Sequence, residues 1–158
     1  MKRLTALTVA TVSLLCMGVS FPAAAQGLKE KVMGTWTLES ASENFPDGKK
    51  LTPWAKGDLI LDSTGHVALF LIGRDRPNTS PSVRTPVGPA VAYFGTYSVN
   101  EADNSVTYKI DYGVSPLFDG AVRTQKVSFT GDTMTMIGSE IKTPEGTMTP
   151  VHVWKRAK

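Results

Sequence analysis

The chain has 158 residues, with 17 Lys and Arg against 14 Asp and Glu and a formal charge of +3. That small surplus, without any run of Lys or Arg, argues against nucleic acid and anionic membrane surfaces as partners. A single cysteine excludes an internal disulfide framework and a Cys-based zinc site.

Lys2 and Arg3 precede an apolar stretch from Leu4 to Val19, and Ala23-Ala24-Ala25 supplies the small residues of a cleavage position. This order predicts a secretory signal peptide over residues 1–25, removed after Ala25. The apolar stretch is short and broken by Thr and Ser, which argues against a stable membrane anchor. The expected product, residues 26–158, is periplasmic or secreted. Removing the signal takes away Cys16 and, with Lys2 and Arg3, leaves 15 basic against 14 acidic residues, a balance of +1. Its length suits one domain.

Leu28 to Met33 suggests a helical turn, and from Gly34 onward short runs alternate apolar and polar residues with a period near two. Bounded by Gly, Pro, Asn and Asp, they predict about eight strands. These lie near Thr35–Ser40, Asp58–Asp62, Val67–Ile72, Val91–Val99, Ser105–Tyr112, Arg123–Thr130, Thr133–Ile137 and Val151–Arg156. The loop at Asp62-Ser63-Thr64-Gly65-His66 sets Leu61 opposite Val67 and Leu59 opposite Leu69. Gly131 takes the first central position of a two-residue hairpin, which pairs Phe129 with Met134 and Val127 with Met136. Between these hairpins, placing Val99 opposite Val106 brings Tyr97 to Tyr108 and Tyr93 to Tyr112, so that all four tyrosines share one face. Gly95 then sits opposite Ile110 and leaves room there. Such tyrosines either support a sheet as cross-strand pairs or line a cavity. Sequential strands without helical crossovers predict an all-β fold, a single antiparallel up-and-down β-barrel, since closure removes exposed edges. Gly73 to Ala90, long and carrying four prolines, is either a lid or a surface insertion.

Several segments together resemble the bacterial lipocalin-like domain proteins, within the calycin group of ligand-binding barrels. They are Gly34-Thr35-Trp36-Thr37-Leu38, Gly57-Asp58-Leu59-Ile60-Leu61, Ala92-Tyr93-Phe94-Gly95-Thr96-Tyr97-Ser98-Val99 and Val153-Trp154-Lys155-Arg156. The resemblance implies a lipocalin-like barrel over residues 26–158. It also implies that Trp36 packs against Arg156 to close one end, a structural role in which a guanidinium lies over an indole face.

No Gly-rich phosphate loop, nucleophile elbow or close pair of histidines is present, so no catalytic residue, metal site or cofactor is expected. His66 falls in a turn and His152 in the last strand. Arg74 and Arg76 stand where the third strand ends and are candidates to ring a barrel mouth. The expected partner is a small hydrophobic or amphipathic ligand held among Tyr93, Tyr97, Tyr108, Tyr112, Val127, Phe129, Met134 and Met136, with Arg74 and Arg76 at the entrance. Two alternatives remain open on this sequence. One is an isomerase, cyclase or hydratase type of enzyme acting on an apolar molecule in the same cavity, and the other an envelope protein with a filled barrel.

Overall fold

A computed structural model describes residues 27–76 and 88–158. The expected signal peptide and the middle of the Gly73–Ala90 connection lie outside the described residues. A short helix, α1 (Leu28–Val32), precedes β1 (Gly34–Asn44), β2 (Lys50–Leu51), β3 (Trp54–Leu61), β4 (His66–Gly73) and β5 (Ala90–Asn100). There follow β6 (Ser105–Gly113), a 3₁₀ turn (Pro116–Phe118), β7 (Val122–Thr130), β8 (Thr133–Gly138), β9 (Ile141–Thr143) and β10 (Gly146–Arg156).

Neighbouring strands pair antiparallel in the order β1-β3-β4-β5-β6-β7-β8-β10, and β10 pairs back onto β1, which closes an eight-stranded barrel. The short β2 and β9 extend β1 and β10 beyond the closed wall. Alternation fills the interior with Leu59, Leu61, Val67, Leu69, Val106, Tyr108, Ile110, Met134, Met136 and Trp154, all nearly free of solvent. This is the strand period of two written into packing.

Both hairpin registers follow from their turns. Leu61 pairs with Val67 and Leu59 with Leu69, while Phe129 pairs with Met134 and Val127 with Met136. Gly131 has φ +58°, as a type II′ turn requires at that position. Several strands run further than their alternating cores. β1 reaches Asn44, β3 begins at Trp54 and β10 at Gly146, and β9 arises where the sequence shows no alternating run.

The tyrosine row needs one correction. Val99 pairs with Val106, Tyr97 with Tyr108 and Gly95 with Ile110, but the register shifts between Phe94 and Gly95. Asp111 is the extra residue of this bulge, so Tyr112 pairs with Phe94 on the outside and Tyr93 with Gly113. Phe94 is 54% and Tyr112 64% exposed, their rings 6.2 Å apart. Gly95 supports the close approach, because a Cβ there would overlap the Lys109 carbonyl oxygen.

Candidate functional site

The two ends of the barrel differ. One end is plugged. Trp36, fully buried at the start of β1, donates its indole N–H to the Val32 carbonyl at 2.8 Å and so ties α1 across the opening. Arg156 stands opposite it in register, with its guanidinium 4.2 Å from the indole centroid. The same guanidinium donates to the Met33 and Lys31 carbonyls at 2.8 and 2.6 Å. Glu101 accepts from the backbone N–H groups of Leu28 and Lys29, which fixes the other side of α1. Phe129 packs beneath, 6.1 Å from Trp36.

The opposite end opens into a cavity of about 340 Å³. Its walls come from the ends of many strands: Glu43 (β1), Trp54 (β3), Leu69 and Leu71 (β4), Val91 and Tyr93 (β5), Arg123 and Gln125 (β7), Gly138 (β8), and Met148, Pro150 and His152 (β10). The 3₁₀ turn leans over the mouth and sets Phe118 5.3 Å from the Tyr93 ring. Arg123 lies 6.0 Å from the Phe118 ring, and Ile141 and Lys142 of β9 edge the far side. The lining is mainly apolar, with a few polar groups of both signs.

Burial governs how those groups titrate. Burial pushes the Glu43 carboxyl above its usual range, more than a hydrogen bond from Trp54 lowers it, and Glu145 nearby adds to the rise. It also pushes the Tyr93 hydroxyl up, against the opposing pull of Arg123. His152 is driven down to about 4 by burial, so its imidazole is neutral at physiological pH. Gln125 and His152 are 6% and 9% exposed, yet among the described residues Gln125 Oε1 and His152 Nδ1 have no hydrogen-bond partner. Trp154 Nε1, one inward step deeper, shares that condition, with its ring 5.8 Å from His152. Each such group costs about 1–3 kcal/mol of stability.

The profile of the lipocalin-like domain family matches residues 33–157. The chain belongs to that family. Among solved structures, it is similar to a protein from Bacteroides eggerthii DSM 20697, with 16% identity over 79% of this chain and 98% of that one, at a TM-score of 0.42. It is also similar to a point mutant of the fluorescent protein UnaG, with 12% identity over 82% of this chain and 98% of that one, at a TM-score of 0.37. A search of curated proteins finds no match.

Within this lipocalin-like barrel, the residues nominated from the sequence fall in four places. Tyr93 lines the cavity. Tyr97, Tyr108, Val127, Phe129, Met134 and Met136 point inward as expected, but they belong to the packed interior and do not edge the cavity. Tyr97 donates its hydroxyl to the Asp62 carbonyl at 2.7 Å, and Tyr108 meets the Met136 sulfur at 3.5 Å. Tyr112 is on the outer wall. Arg74 and Arg76 are exposed beyond the end of β4, where Arg74 Nε donates to the Thr52 carbonyl at 2.9 Å. Sequence reasoning did not place Glu43, Trp54, Arg123, Gln125, Gly138 or His152 in the site. The signal for Arg123, Gln125 and His152 was parity, since they continue the inward-facing series of Val127 and Trp154.

Proposed function

We propose that this lipocalin-like barrel binds a small apolar or amphipathic molecule in its open-end cavity, and that it does so after export and removal of residues 1–25. The observation that carries the binding reading is the cavity itself. About 340 Å³ of space lies among Trp54, Leu71, Val91, Tyr93 and Phe118, a volume within the range of small-molecule sites. Apolar walls release ordered water on binding, and the few polar groups give the ligand an orientation.

The test is a fluorescence titration with the environment-sensitive dye 1-anilinonaphthalene-8-sulfonate. The dye brightens saturably on the folded protein, and Val91→Trp, which fills the cavity from its wall, abolishes the signal with little change in melting temperature. Equal binding by the variant overturns the assignment to this cavity. Export is supported by the basic, apolar and small-residue order of residues 1–25. Intact-mass measurement of the protein from a cell-envelope fraction should give a chain beginning at Gln26, and a full-length mass refutes the cleavage.

A further inference from the structure

The bottom of the cavity is not apolar, and two of its polar atoms, Gln125 Oε1 and His152 Nδ1, have no hydrogen-bond partner among the described residues. Gln125 projects from β7 and His152 from β10, on either side of β8. Gly138 of β8, opposite Gln125 in register, contributes no side chain there. A Cβ at that position would come within 2.7 Å of Pro150 Cγ, so the buried Pro150 ring of β10 packs over the glycine on the inner face. Gln125 and His152 flank this contact as two buried polar side chains on the lining of the same, mainly apolar cavity.

We infer that this polar part of the cavity lining holds the polar end of the ligand, a neutral group that both donates and accepts hydrogen bonds, such as an amide or a hydroxyl, carried on an apolar tail. The inference rests on the binding function proposed above and adds the class of ligand. Gln125 Oε1 is an acceptor and asks for a donor. His152 Nδ1 donates or accepts according to tautomer, so a group with both capacities satisfies either state. A carboxylate suits this depth poorly, since it has no proton for Gln125 and the basic side chains of the lining, Arg123 and Lys142, stand higher, among the residues that edge the mouth. A head group of the matching kind turns two desolvated atoms from a cost to the empty protein into contacts of the complex.

Octanamide, methyl octanoate and octanoate share one tail and differ in head group, and each is titrated against the bound dye. Octanamide should displace it about tenfold more tightly than methyl octanoate, the factor that one net hydrogen bond gives. In Gln125→Leu, and in the similarly shaped Gln125→Met, that ratio should fall to about one. The melting temperature of the empty variant should hold or rise, because a buried unsatisfied acceptor is gone. Equal affinities in the unaltered protein, or a preference that survives in both variants, overturn the inference and leave the cavity assignment standing. If neither the dye nor any octanoyl compound binds, the cavity assignment fails and the inference falls with it.

Discussion

His152 shows how a single buried side chain ties the cavity to solution conditions. Its folded pKa of about 4 lies below the unfolded value of 6.5, so between those limits the unfolded chain binds a proton that the folded chain refuses. Stability must therefore fall as pH drops from about 6.5 to about 4, by about 3 kcal/mol for this residue. Glu43, which faces the same cavity, acts in the opposite sense. Its raised pKa contributes stability in acid that is lost as pH rises past the carboxylate range, so it offsets part of the histidine effect near the lower limit. Thermal melts of the unaltered protein and of His152→Leu from pH 7.5 to 4 separate the contributions. The two curves should diverge as pH falls through 6.5, with the variant losing less, and parallel curves would show that the imidazole is not held neutral.

At the level of elements, strand pairing was legible because turn chemistry and alternation act within a few residues of each other. Gly131 and the Asp62–His66 loop set registers that run unchanged along β7–β8 and most of β3–β4. The bulge at Asp111 was not legible, since a Ser105–Tyr112 run of good period gives no sign that one residue will be skipped. Its cause lies in the partner strand, where Gly95 lets the β6 backbone draw close. The cost of missing it was the sign of one residue, Tyr112, which turns from the interior to the outside beside Phe94. Depth was a different matter. Period two states which side of the wall a residue faces but not how far along the barrel it lies, because that depends on the stagger of all eight strands together. So Met134 and Met136 were rightly placed inside, while His152, level with Met136 in register, and Gln125, one step nearer the mouth, were passed over.

The whole molecule divides its work between its ends. At the plugged end, the interactions among α1, Trp36 and Arg156 are local, specific and saturated: the indole N–H and two guanidinium nitrogens all reach carbonyl oxygens. At the open end, polar atoms are left without partners among the described residues, and the walls stand apart. A barrel that seals one end firmly can tolerate such unsatisfied groups at the other, because the stability of the closed sheet is shared by the whole ring of strands. Trp36→Ala tests this division. It removes a fully buried ring, the cation–π contact and the tie to Val32, and should cost about 3–5 kcal/mol in denaturant unfolding. Dye titration of the same variant, at a temperature where it is still folded, should give an affinity within about twofold of the unaltered protein, since sites without shared contacts are nearly additive. A loss of binding as large as the loss of stability would show that the two ends form one energetic unit, with the plug holding the cavity open.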